Sequence, residues 1–392
     1  MNTGLHLVFI VCSAFFVLVF ALYLLLQAAF ILAWLRIPAE KESQKKLSTR
    51  LAVILPVRNE AANLEACLKS IAEQNYSPDL FELIVADDDS EDKTAEIVKA
   101  FIASGQIRNM KYIHLPGDPE VKAHKKRAIA AGIRQTDADL IVTTDGDCVS
   151  GKNWLRAIVT FYECEAPALI IGPVAFRDEQ SLFEQMQTLE FAGLLLVTGA
   201  SSALGIPLMC SGANLAYPRT FFEGVKGYEG DEEASGDDVL LLKRIAQKYP
   251  GAVRFLKSSP ATVFTSAQKT LPAFLEQRKR WSSKFKKYGS GPIAGVAVLV
   301  FLCNLLFLTG GLIGIFVPAF GCVYLILAAA KLIIDFLILF LATSFTNRKK
   351  LLWIYLPELF FYSFYVVLTA VLGLKTEYSW KGRKNEQARA AD

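Results

Sequence analysis

The stretch Leu140-Ile-Val-Thr-Thr-Asp-Gly-Asp147 is a short apolar run that stops abruptly on two carboxylates. Three apolar residues and a threonine closed by a turn signal read as a buried strand, because the run is too short for a helix. The same pattern recurs at Phe81-Glu-Leu-Ile-Val-Ala-Asp-Asp-Asp89, and a related run, Leu51-Ala-Val-Ile-Leu55, is stopped by Pro56. Between these runs the apolar spacing changes to that of helices. Residues 63–74 carry Leu64, Leu68 and Ile71 on one face, with Asn63 as the expected N-cap, and 94–104 repeat Ile97, Val98, Phe101 and Ile102. Residues 110–115 read as a further strand and 125–134 as a further helix. Such alternation predicts an α/β domain around a mostly parallel sheet. Ligands bind beyond the carboxyl ends of such strands, which is where the acidic clusters fall.

Outward from this core the composition segregates. The 392-residue chain is 53% hydrophobic and 20% charged. Residues 5–35 are almost uncharged, long enough to cross a hydrocarbon layer that needs about 20 residues. The run lacks a basic leading segment and exceeds a signal peptide's apolar core, so it reads as an anchor. Residues 292–374 are apolar again and divide into about three spans, 293–316, 322–341 and 351–374. Pro318 and Gly321 make the first break, and Asn347-Arg-Lys-Lys350 the second. The expected units are an anchor (1–36), a catalytic domain (37–290), a membrane region (291–376) and a polar tail (377–392).

Lys41, Lys45, Lys46 and Arg50 follow the first span, and Lys279, Arg280, Lys284, Lys286 and Lys287 precede the second block. The positive-inside bias therefore puts the middle domain in the cytoplasm of an integral membrane protein. One plus three crossings, however, would leave the basic tail 375–389 outside, against that same bias; a re-entrant or interfacial segment is the alternative. A net charge of +4 is too small to call for nucleic acid. Seven scattered cysteines without a C-x-x-C pair fit reduced thiols, and three distant histidines exclude a histidine-built metal centre.

Asp145-Gly146-Asp147 offers two carboxylates that can share a hard divalent cation, Mg2+ or Mn2+, with the phosphate oxygens of a substrate. Alone, such a triplet is an ordinary turn. Asp87 and Asp88 close an apolar strand, where a carboxylate can accept hydrogen bonds from a nucleobase or ribose, while Asp92 suits the start of the next helix. A calcium loop is excluded, because its sixth and twelfth positions would be Asp92 and Val98. Pro56, Arg58 and Glu60 face the same crevice. Lys125 begins a helix near it, able to approach a diphosphate or to form a solvated basic face. Asp237 and Asp238 open a helix, one free to cap it and the other to take a proton. Gln277, Arg280 and Trp281 fall at i, i+3 and i+4, a spacing that puts them near one helical face, with interface anchoring as the simpler reading.

The ordered set Val53-Ile-Leu-Pro-Val-Arg-Asn-Glu60, Asp87-Asp88-x-Ser90-x-Asp92-x-Thr94, D-G-D, G-D-D and Q-x-x-R-W resembles the membrane-bound family 2 glycosyltransferases. These include the ceramide glucosyltransferase, hyaluronan, chitin and cellulose synthase group. The resemblance covers about residues 51–281 and implies a GT-A, Rossmann-like fold and a nucleotide-sugar donor with UDP as the default carrier. It also implies Mg2+ or Mn2+ and inversion at the anomeric carbon. It assigns Asp87 and Asp88 to the nucleoside, Asp145 and Asp147 to diphosphate and metal, and Asp238 to the general base. Pro56, Arg58, Glu60, Lys125, Gln277, Arg280 and Trp281 join the donor site. Gly212, Asn214, Asp237 and Trp281 fall in the acceptor region. Asp89 and His124 depart from the family, which usually has Gly at both places. Trp380-Lys-Gly-Arg383 resembles the tail of some members.

With few charges deep in the C-terminal spans, Lys331 and Asp335 among them, a polar export path is poorly provided for, and transfer to a membrane lipid is expected. The alternatives are a polysaccharide synthase acting on a glycan and a non-catalytic nucleotide-sugar receptor. The apolar segment 194–209 is either core or a bilayer-facing surface.

Overall fold

A computed structural model of the chain describes residues 3–39, 46–117, 123–230, 236–283, 291–372, 378–380 and 383–385. Lys41, Lys45, Lys284, Lys286, Lys287, Lys381, Gly382 and residues 386–392 lie outside them. The chain starts with the long apolar helix α1 (Thr3–Arg36). The domain follows as β1 (Leu51–Val57), α2 (Leu64–Ala72), β2 (Phe81–Asp87), α3 (Thr94–Ser104), β3 (Met110–His114), α4 (His124–Ile133) and β4 (Leu140–Thr143). It continues with β5 (Val149–Ser150), α5 (Trp154–Glu165), β6 (Leu169–Ile171), β7 (Val174–Arg177), α6 (Leu182–Ala203) and β8 (Leu215–Pro218). Next come α7 (Arg219–Gly224), α8 (Asp237–Lys248), β9 (Val253–Phe255), β10 (Val263–Ser266) and α9 (Leu271–Ser283). The apolar helices α10 (Pro292–Phe316), α11 (Pro318–Phe345) and α12 (Tyr355–Leu372) precede a small hairpin, β11 (Tyr378–Trp380) and β12 (Arg383–Asn385).

The main sheet runs β3-β2-β1-β4-β8-β6-β9. The first four strands are mutually parallel, and β8 runs antiparallel to both neighbours. This is the expected Rossmann-like, GT-A arrangement. Alternate residues of β1 enter different cores: Leu51, Val53 and Leu55 pack on one face, Ala52 and Ile54 on the other. Burial on both faces is why the run is continuously apolar rather than alternating. A second sheet, β5-β10-β7, braces the end of β4.

Three local expectations are corrected. β1 does not stop at Pro56 but pairs with β2 as far as Val57. The Ile54 carbonyl points toward β4, where Thr144 donates to it, so Pro56, two residues on, faces the same side past the end of that pairing and its missing N–H is not called on. Asn63 makes no side-chain cap; the Glu60 carbonyl accepts from the Asn63 and Leu64 amides instead. The last apolar segment begins not as α-helix but as a 3-10 turn, Lys349–Ile354, leading into α12.

Four helical segments are long and apolar enough to cross a membrane: Ile10–Arg36, Pro292–Phe316, Phe320–Phe345 and Lys349–Ala370. α10 and α11 form a hairpin whose backbones meet at Gly314 and Gly321; a Cβ on Gly321 would lie 2.9 Å from the Gly314 carbonyl oxygen. Lys331 and Asp335 pair within α11 at 2.6 Å, and Tyr23 of α1 donates to the second Asp335 oxygen at 2.8 Å. α1 is also fastened to the domain. Lys257 donates to the Trp34 and Ile37 carbonyls at 2.7 and 3.3 Å and lies 4.5 Å from the Trp34 ring centroid. Trp34 itself packs against Phe255 and Phe345. The segment 194–209 is divided: Leu195, Leu196, Ala200 and Leu208 are core, while Leu204 and Ile206 stay exposed.

Candidate functional site

The strand order reverses direction between β1 and β4, which opens a crevice beyond their carboxyl ends. A cavity of about 230 Å³ lies there. β1 brings Pro56, Arg58 and Glu60 to it, β2 brings Asp88, and the turn after β4 brings Asp145 and Asp147. Lys125 enters from α4, Gly212 from a 3-10 turn, Asp237 and Asp238 from the start of α8, and Gln277, Arg280 and Trp281 from α9. Signatures spread over more than 220 residues of chain thus share one wall system.

The two loops after β1 and β2 are laced together. Arg58 donates to the Asp88 and Asp89 carbonyls at 2.6 and 2.7 Å, Asn59 exchanges bonds with Ser90 and Glu91, and the Glu60 amide donates to Thr94 Oγ1 at 2.8 Å. Asp92 accepts from the Thr94 and Ala61 amides, closing the lacing at the N-terminus of α3. Asp89 sits at φ +60°, the left-handed region that explains the family's glycine there; Asp is one of the few other residues that tolerates it. Arg127 and His124 flank the Asp88 Oδ1 atom at 3.0 and 3.4 Å, so the second departure adds a basic ring where glycine is usual.

At the β4 turn, a Cβ on Gly146 would lie 2.9 Å from Glu60 Cγ, so any side chain there would force Glu60 to shift. Lys125 Nζ stands 2.8 Å from Asp145 and 3.3 Å from Asp237. Burial disfavours its charge, but Asp145, Asp237 and Asp238 more than offset this, leaving the ammonium protonated well beyond the usual lysine range. Asp238 accepts from the Val239 amide at 2.8 Å and the Gly212 amide at 3.4 Å. Gly236 holds φ +88° at the N-cap, turning both carboxylates of α8 inward.

Two expected site residues lie off the cavity wall. Asp87 is 1% exposed, its oxygens taken by the Ser90 amide and the Tyr112 hydroxyl, and so braces the loop from behind. Asn214, also 1% exposed, accepts from the Trp154 indole and donates to the Pro173 and Ala261 carbonyls. It joins α5 to the second sheet and does not line the cavity. Other lining residues carry no sequence signal: Phe176 and Phe191, stacked at 4.4 Å, continue the wall formed by Trp281. Arg278, inside the Q-x-x-R-W run, points away from the cavity and pairs with Glu190 at 2.6 Å, both residues almost fully buried. Only its position among three site residues hinted at a role.

Six carboxylates line the cavity against three cationic side chains, Arg58, Lys125 and Arg280. A diphosphate entering such a cavity is repelled unless cations accompany it. Asp145 and Asp147 present oxygen donors only, the set preferred by Mg2+ or Mn2+. Among the described residues no group of three or more His, Cys, Asp or Glu side chains forms a metal cage. A bound ion would therefore draw its remaining ligands from phosphate and water, as such ions commonly do. The residues fit the group.

The glycosyl transferase family 2 model matches residues 52–225, and the glycosyl transferase family group 2 model matches residues 140–370. Glycosyltransferase AglE of Haloferax volcanii is 30% identical over 129 residues, covering 32% of this chain and 40% of the relative. A hyaluronan synthase of Streptococcus pyogenes is 25% identical over 266 residues, covering 63% and 61% respectively. The chain spans about half the length of the curated relatives it matches. The mannosyltransferase PcManGT from Pyrobaculum calidifontis, solved with GDP-Man and Mn2+, superposes with a TM-score of 0.60 at 19% identity. That match covers 93% of this chain and 97% of the other.

Proposed function

The chain belongs to the family group 2 glycosyltransferases, and from that premise we propose that it is an inverting transferase. It moves a sugar from a nucleotide-sugar donor, UDP-linked by default, to the hydroxyl of a membrane lipid. The observation that carries this reading is the convergence of Lys125, Asp145, Asp147, Asp237, Asp238 and Arg280 on one cavity at the sheet's switch point.

Asp88 and the laced β1 and β2 loops bind the nucleoside end of the donor, with Asp87 bracing them. Asp145 and Asp147 would hold Mg2+ or Mn2+, which would supply positive charge to offset that of the diphosphate leaving group. Arg280 and Lys125 approach the same phosphates. Lys125 also ties Asp145 to Asp237, so donor and acceptor sides are positioned by one cation. Inversion is a single displacement: the acceptor oxygen attacks the anomeric carbon as the bond to the diphosphate breaks. Asp238 takes the hydroxyl proton in that step. The Trp281, Phe191 and Phe176 rings give the acceptor a flat apolar wall. The catalytic domain faces the cytoplasm.

A lipid is favoured over a growing polymer because the charges of α11, Lys331 and Asp335, satisfy each other and Tyr23, and Glu358 of α12 is buried, rather than lining a polar path. The hyaluronan synthase relative supports the second reading, a polysaccharide synthase acting on a glycan. Purified protein incubated with a panel of nucleotide sugars, Mn2+ and total membrane lipid separates the two by mass spectrometry. One added sugar per lipid, abolished by EDTA, is the expected result. A ladder of products supports the synthase, and no donor consumption with any sugar refutes both.

A further inference from the structure

The fourth apolar segment runs differently from the other three. α1 and α11 run side by side toward the domain, with Phe16 against Phe320, Tyr23 against Asp335 and Trp34 against Phe345. Immediately after α11, Arg348 pairs with Glu179 of the domain, so the chain has returned to the domain side. The 3-10 turn Lys349–Ile354 then descends again along α11. Six residues at about 2 Å each cover about 12 Å. The Tyr355 hydroxyl donates to the Leu332 carbonyl at 2.6 Å, and its ring lies 5.4 Å from that of Phe336. Phe336 precedes the end of α11 by a stretch worth about 14 Å of helix, in accord with that descent.

From this depth α12 climbs back. Phe360 meets Phe307, Ser363 Oγ donates to Asn304 at 2.9 Å, and Tyr365 donates to Glu190. The partners on α10 run backward toward Pro292, the end joined to the domain. β11 then packs against α9, on the domain side again. A crossing needs about 30 Å of apolar path in one direction, whereas this segment first descends by about 12 Å and then reverses, the eighteen residues of α12, about 27 Å of helix, leading back toward the domain.

We propose that α12 is a re-entrant limb of the catalytic site: it enters and leaves the apolar layer on the domain's side and delivers Tyr365 to Glu190, the two acting as positioning residues for Arg278. Arg278 in turn lies 4.2 Å from the Trp281 ring centroid and 3.3 Å from Gln277 Oε1, so its placement sets two cavity residues at once. Buried ion pairs such as Arg278–Glu190 add little net stability, and their best-attested use is to fix one arrangement. The basic tail then lies on the same side as the domain, which removes the conflict with the positive-inside bias. The positioning role rests on the transfer reading; the chain path does not.

The test is labelling with a membrane-impermeant maleimide in intact and opened cells, mapped by peptide mass spectrometry. The variants are Ala390→Cys in the tail and Ala319→Cys at the start of α11, with the exposed native Cys164 marking the domain. Ala390→Cys labels on the same side as Cys164 and opposite to Ala319→Cys; labelling together with Ala319→Cys overturns the re-entrant path. For the positioning role, Tyr365→Phe raises the donor KM about three- to tenfold with kcat within about twofold, and the KM change stays when assayed well below the slightly lowered melting temperature. An unchanged KM, or a loss that tracks melting, overturns that role. A wild-type protein that turns over no donor defeats the transfer reading and the positioning role together, leaving the labelling to decide the path.

Discussion

Replacing Asp238 by Asn separates chemistry from architecture at the site, because the two side chains have the same shape. Asp238 accepts from the amides of Val239 and Gly212, and Asn retains one oxygen able to keep the shorter of these bonds. The second bond, at 3.4 Å, is lost when an amide NH2 faces an amide N–H, at about 1 kcal/mol. Removing the charge from the first turn of α8 costs about 0.3–1 kcal/mol more. The total, about 1–2 kcal/mol, leaves a folded protein. Loss of the proton acceptor is far larger: general base catalysis contributes about 10²–10⁴ in rate, or about 2.7–5.4 kcal/mol of barrier. Asp238→Asn is therefore expected to bind nucleotide nearly as the parent does and to lose at least about 100-fold in kcat. Single-turnover product formation with saturating donor is the assay, with melting in detergent as the folding control. Turnover within about threefold of wild type would refute the role given to Asp238.

Two further substitutions test the scaffold around it. Gly146→Ala pushes a methyl to 2.9 Å from Glu60 Cγ and 3.2 Å from Val57 Cγ1. Glu60 must shift at a cost of about 1–3 kcal/mol, with a lower melting temperature and a higher Mn2+ requirement; a variant matching wild type in both measurements contradicts the packing. Lys257→Met leaves the Trp34 and Ile37 carbonyls without their donor and is expected to destabilise by about 1–3 kcal/mol in thermal unfolding, with no change in donor KM. A fall in affinity without a fall in stability would mean that Lys257 has been misread.

The legible parts of this chain were those that local chemistry writes directly. Strands buried on both faces leave continuous apolar runs, and so β1, β2 and β4 stood out, together with the acids at their ends. Asp92 was readable because helix starts select such residues. The failures share a cause in tertiary placement. Asp87 and Asp88 are adjacent and chemically identical, yet one faces Tyr112 and the other the cavity, a distinction made by strand pleat and a neighbour 25 residues on. Asn214 looked like a polar group near an acceptor and turned out to pin an indole and two carbonyls. Arg278 could not be told from Arg280 until Glu190 and Tyr365 were seen beside it. β5, two residues long, was below what periodicity can register, and β10 (Val-Phe-Thr-Ser), though as long as β4, is only partly buried and lacks its continuous apolar run.

The clasp between Lys257 and the end of α1 has one more consequence. With Trp34 gripped by Phe255, Phe345 and an ammonium, the crevice is bolted to its pedestal at a set height rather than hanging on a cord. Such an enzyme cannot dip to fetch a partner of arbitrary depth. If the acceptor is a membrane lipid, as proposed above, candidates for the sugar are screened by how far their hydroxyl stands out of the oil, a yardstick applied before any side chain inspects their chemistry.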